Sequence, residues 1–71
     1  MDEAINKRAT TISQRVRELR KQRGLLQSEL AERAGLAMQT ISNIEVGRKV
    51  PEMTTLLKLA TALDVSLTDL L

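Results

Sequence analysis

Residues 27–48 read QSELAERAGLAMQTISNIEVGR, and the spacing of their small and aliphatic residues decides the fold. Leu30, Ala31 and Ala34 recur at the three- and four-residue steps that place side chains on one face of a helix. The spacing predicts a helix over 27–34. Gly35 ends it, because glycine enters the left-handed conformation without the steric cost of a Cβ. Gly35, Leu36 and Ala37 leave a tight turn. A further helix follows over 38–46, with Ile41 and Ile44 inward and Gly47 at its end.

Two short helices joined by a turn containing glycine make a helix-turn-helix unit. Its steric demands are met in register. Ala31 is small where the helices cross most closely, and Leu30, Ala34, Leu36, Ile41 and Ile44 fill the wedge between them. Any one of these residues is a common choice. All of them together, in a chain that reads as helical throughout, are a specific signal.

Outward from this unit the chain stays helical. On the N-terminal side, Thr11 and Gln14 have capping-box spacing, so a first helix is expected from Thr11 to Gly24. Ile12, Val16 and Leu19 form its apolar stripe, and Arg15, Arg17, Lys21 and Arg23 lie off it. Residues 1–10 are polar and aperiodic and are expected to form a mobile arm. The domain proper is then 11–71. On the C-terminal side, Arg48 to Glu52 read as a loop, and Pro51 fits just ahead of a helix, where its missing N–H costs nothing. A fourth helix is expected over 53–63, with Met53, Leu56, Leu57, Ala60 and Leu63 inward. Ser66 and Asp69 resemble a cap for a short fifth helix carrying Leu67, Leu70 and Leu71.

Composition narrows the chemistry. The chain has 71 residues, enough for one thin core. It contains no Cys, His, Phe, Tyr or Trp. Disulfides, thiol chemistry and histidine acid–base catalysis are thereby excluded, and so are the aromatic platforms on which single-stranded nucleic acids stack. No Gly-rich phosphate loop is present, no metal or cofactor is expected, and the chain does not read as an enzyme. No apolar run approaches the ~20 residues of a membrane span, so a cytoplasmic protein with no membrane partner is expected. The net charge of +2 hides an asymmetry: ten of the eleven Lys and Arg lie within residues 7–49, against four Glu. Such a basic body suits a polyanion, although most charge runs are simply solvated.

The stretches RVRELRKQRGLLQSELAERAG, QTISNIEVGR and PEMTTLLKLATALDVSLTDLL together resemble the lambda-repressor-like (Xre or Cro-type) helix-turn-helix domains, over roughly Thr11 to Leu71. The resemblance implies an all-α, compact five-helix domain. It also implies sequence-specific binding to double-stranded DNA by a homodimer on a palindromic operator, most simply as a repressor. In such domains the third helix enters the major groove with its N-terminal residues at the base edges. Carried over by position, the base-contacting residues are Met38, Gln39, Thr40, Ser42 and Asn43. Gln39 leads, because its amide matches the adenine edge. Phosphates would be held by Gln27 and Ser28 at the start of the second helix, a natural anion site, and by Arg20, Arg48 and Lys49. Arg20 and Glu45 match a charged pair that ties the first helix to the end of the third.

This sequence departs from the family pattern at Leu26 and Ala37, which stand where a Ser or Thr commonly caps the second and third helices. Val46 replaces a residue that is commonly polar. The leucines Leu59, Leu67, Leu70 and Leu71 are open to two readings: they close the domain's own core, or they form a two-fold dimer interface. Other readings also remain open. One is the antitoxin half of a toxin–antitoxin pair, with a toxin as a further partner. Another is a domain joined to a C-terminal regulatory domain. The last is a protein-interaction module that keeps the fold without DNA binding.

Overall fold

A computed structural model describes residues 3–71, with side chains described from residue 11 onward. The chain forms α1 (Glu3–Gln22), α2 (Gln27–Ala34), α3 (Met38–Glu45), α4 (Met53–Leu63) and a closing 3-10 turn over Leu67–Leu70. The expected fifth helix is this single 3-10 turn, and no strand occurs among the described residues.

The first helix corrects one expectation. It begins at Glu3 rather than at Thr11, so residues 3–10 are its opening turns and Thr11 lies inside it. Residues 3–10, EAINKRAT, contain no Gly or Pro to stop a helix from propagating backwards. The capping-box spacing of Thr11 and Gln14 is therefore not used as a cap. The remainder of the expected arm, residues 1–2, lies outside the described residues.

All four α-helices end in the same way. The residue after the last turn is left-handed: Gly24, Gly35, Gly47 and, after α4, Asp64 at φ 57°. The next N–H then folds back five residues onto the helix, as in Leu25 to Arg20 at 3.1 Å and Leu36 to Ala31 at 2.8 Å. Arg48 to Asn43 and Val65 to Ala60 repeat the bond at 3.0 Å. This closure satisfies carbonyls that a helix end otherwise leaves open. It also returns Leu25, Leu36 and Val65 onto the core, buried or partly buried. Arg48 occupies the same place after α3 and is exposed.

The core is aliphatic. Ile12 and Val16 of α1, Leu30, Ala31 and Ala34 of α2, and Ile41 and Ile44 of α3 are buried together. From α4 the buried residues are Leu56, Leu59, Ala60 and Leu63, and Leu70 closes the assembly. The helix-turn-helix wedge thus forms as its spacing implies. The inward face of α4 differs from expectation: Met53 and Leu57 are exposed, while Leu59 is fully buried. With leucines at 56, 57, 59 and 63, two arcs of the helix are apolar, and packing against α2, α1 and the 3-10 turn selects the arc holding Leu59. Leu59 and Leu70 are at 0% exposure within one chain. Of the two readings open for these leucines, Leu59 and Leu70 follow the first: they close the core and offer no surface for a dimer interface.

The N-cap positions Leu26 and Ala37 make no side-chain cap hydrogen bond. At α2, the Glu29 carboxylate accepts from the Leu26 N–H at 2.8 Å, so half of the usual capping exchange survives. At the 3-10 turn, the Ser66 N–H donates to Asp69 Oδ2 at 3.0 Å and the Ser66 hydroxyl donates to the same oxygen at 2.9 Å. These bonds hold the Asp69 carboxyl below its ordinary range, the backbone bond contributing most.

Candidate nucleic-acid interface

The site is built where α1, α2 and α3 meet. Arg20 lies in the last turn of α1, and Glu45 is the last residue of α3. The Arg20 Nε donates to Glu45 Oε2 at 2.6 Å, and its Nη2 donates to Oε1 at 2.9 Å. The Arg20 Nη1 donates to the Leu25 carbonyl at 2.8 Å, bracing the turn between α1 and α2. The Gln27 amide, in the first turn of α2, donates to Glu45 Oε1 at 3.1 Å. One carboxylate therefore ties the start of α2 to the end of α3. Side-chain exposure is only 11% for Arg20 and 3% for Glu45, so the planar fork of the guanidinium meets the carboxylate away from bulk water. The bond to Glu45 raises the Arg20 pKa above its already high ordinary value.

This geometry revises one assignment. Arg20 turns inward to Glu45 and Leu25, so the structure gives it the work of a brace rather than of an outward phosphate grip. Gln27 is half-buried and oriented by Glu45, and Ser28 beside it is exposed. The Leu30 N–H is the first in α2 to bond back, to the Leu26 carbonyl at 3.0 Å. The N–H groups of residues 27–29 precede the first intrahelical bond, the arrangement that suits an anion at a helix start.

On α3 the outward residues divide by exposure. Met38 is 55% exposed, Gln39 is exposed, and Ser42 and Asn43 are half-buried. Thr40 is also half-buried and lines a groove between α3 and the start of α4, together with Asn43, Lys49 and Thr55. Gln39 and Asn43 lie one turn apart, and the Gln39 amide donates to Asn43 Oδ1 at 3.2 Å. Arg48 returns over the same residue, its Nη1 3.5 Å from Asn43 Oδ1. Lys49 is exposed in the loop after α3, at the rim of that groove. Val46 is 65% exposed at the end of the helix, and Leu26 is equally exposed at the start of α2. Two aliphatic side chains therefore stand beside the brace. Sequence reasoning missed the bond between Gln27 and Glu45 and the cap from Glu29. The second had a signal in the sequence, a Glu three residues after the N-cap position.

The helix-turn-helix family profile HTH_3 matches residues 16–70. The chain belongs to the helix-turn-helix family. Within that family, the HTH-type transcriptional regulator y4dJ of Sinorhizobium fredii is 44% identical over 52 residues, spanning 73% of this chain and 68% of that protein. The HTH-type transcriptional regulator SinR of Bacillus subtilis is 43% identical over 61 residues, 84% of this chain and 55% of SinR. Among solved structures, the restriction-modification controller protein C.AhdI of Aeromonas hydrophila superposes with a TM-score of 0.86 at 38% identity, covering 89% of this chain and 96% of that one. The chain is thus a helix-turn-helix member whose relatives are transcription regulators. No helix among its described residues is long and apolar enough to cross a membrane.

Proposed function

We propose that this chain regulates transcription by reading a short sequence of duplex DNA with α3 in the major groove. The observation that carries this reading is the brace. Glu45 fixes the start of α2, an anion site, at a set distance from α3, whose outward face carries Met38, Gln39, Ser42 and Asn43. A rigid spacing between a phosphate anchor and a base-reading face is what registration on a duplex requires, since phosphate contacts position and base contacts specify. Gln27, Ser28 and Lys49 hold phosphates on the two flanks. Gln39 reads adenine, Met38 lies against a thymine methyl, and Thr40 faces the groove beside Lys49.

The chain acts as a homodimer on a palindromic operator, where two copies set their α3 helices about one turn of DNA, ~34 Å, apart. Leu71, which is exposed, and Leu67, which is half-buried, contribute to that interface. Repression follows from occupying promoter DNA. Binding to labelled duplexes across a salt series tests the reading. A steep loss of affinity with rising salt, together with retention of one sequence over its scrambled version, is the expected result. Salt-insensitive or absent binding would leave a protein-interaction module.

A further inference from the structure

The closure of α3 differs from that of the other helices in what it brings back. After α1, α2 and α4 the returning residue is apolar and covers the core. After α3 it is Arg48, whose N–H is fixed to the Asn43 carbonyl at 3.0 Å. That backbone bond holds the Arg48 side chain over Asn43, with Nη1 3.5 Å from Oδ1. Gln39 approaches the same oxygen from the other side at 3.2 Å. The Asn43 carbonyl oxygen thus serves two donors from its own chain. What Asn43 has left to present is its amide N–H pair. Gln39 uses one amide hydrogen on Asn43 and keeps its Oε1 and its other N–H.

We propose that Gln39, Asn43 and Arg48 read DNA as one unit, in which Asn43 is a donor-only reader that selects guanine or thymine. In the major groove, guanine offers O6 and N7 and thymine offers O4 as acceptors; cytosine offers only an amino donor, and adenine sets its N7 acceptor beside an amino donor that a donor-only amide leaves unpaired. A free Asn amide would pair bidentately with adenine. An Asn whose oxygen is already occupied has no acceptor for the adenine N6 amino group. Gln39 retains the acceptor and donor that adenine demands. Residues 39 and 43 lie ~6 Å apart along the helix, so the two selected bases fall about two base-pair steps apart at ~3.4 Å per step. Arg48 is a positioning residue here: it fixes the Asn43 rotamer and thereby contributes to sequence choice, beyond adding positive charge. The inference rests on the reading of α3 as the helix that enters the groove.

The test is selection from a random duplex library, with the bound DNA sequenced, for the wild-type chain and for four variants. Gln39→Ala identifies the Gln39 position by erasing one selected base. The wild-type chain is expected to show adenine there, and guanine or thymine about two positions away with roughly tenfold preference. Asn43→Asp presents only acceptors and is expected to move the second position to cytosine or adenine while leaving the first intact. Asn43→Ala and Arg48→Ala are expected to flatten the second position alone. Adenine at the second position of the wild-type selection would overturn the inference. So would an Asn43→Asp profile equal to the wild type, or an Arg48→Ala variant that weakens all sequences alike. A wild-type selection with no enriched sequence would instead overturn the reading of DNA by α3, and it would do so before any variant is compared.

Discussion

Arg20 and Glu45, 25 positions apart in sequence, meet as a two-bonded pair at 2.6 and 2.9 Å with almost no side-chain exposure. The same carboxylate holds Gln27, so one residue links three helices. Removing either partner leaves the other charge in a dry setting without its counterpart. Arg20→Met or Glu45→Leu is therefore expected to cost about 2–4 kcal/mol, a large share of the ~4–10 kcal/mol typical of a domain of this size. The double variant should recover part of that loss, since a well-packed apolar pair often equals a buried ion pair. Urea denaturation of the three variants measures this. Equal, additive losses would show that the two residues do not act together.

Leu59 and Leu57 test the orientation of α4. Leu59 is fully buried and Leu57 is 49% exposed. Leu59→Ala should cost about 2–5 kcal/mol through lost burial and a cavity. Leu57→Ala should change stability by less than about 0.5 kcal/mol, as surface substitutions do. Chemical denaturation midpoints distinguish them, and a reversed order would place the other arc of α4 inward.

Ala37 supplies no side-chain cap to α3. Ala37→Ser adds a hydroxyl able to accept from the free N–H groups of the first turn and should stabilise the fold by about 1 kcal/mol. The readout is a higher denaturation midpoint with an unchanged slope.

Asp69 carries a pH signature. Its carboxyl is depressed below the ordinary 3.8 by the Ser66 N–H and then by the Ser66 hydroxyl, with Arg15 nearby. A depressed folded-state value means that the stabilisation is present above 3.8 and is lost as pH falls through the lower folded value. Asp69→Asn should therefore melt below the wild type at pH 7, and the gap should close on acidification past that value. A gap that stays constant into strong acid would show that the carboxylate charge is not what caps the turn.

Much of this was legible in the sequence because it rests on local steric rules. Gly35 and Gly47 stop helices since few other residues accept a positive φ, and Ile41 and Ile44 face inward by spacing alone. The missing caps at Leu26 and Ala37 were legible because the resemblance places a Ser or Thr at those positions. The start of α1 could not, because Thr11 and Gln14 offer a local cap while helix-forming residues before them allow the helix to continue. The inward arc of α4 could not either, since Leu57 and Leu59 are equally apolar and only packing against other helices separates them. At the site, spacing showed which α3 residues face outward, and the resemblance paired Arg20 with Glu45. It did not show that Arg20 is consumed by that pair, or that Gln39 and Arg48 converge on Asn43. The first depends on how α1 packs against the end of α3, and the second on where the α3 closure returns Arg48.

The most direct test of the central claim, that α3 reads duplex sequence, is the wild-type selection from random duplexes. The account predicts enrichment of a palindrome whose half-sites are centred about one helical turn, ~10 base pairs, apart. Duplexes recovered with no sequence in common would contradict it.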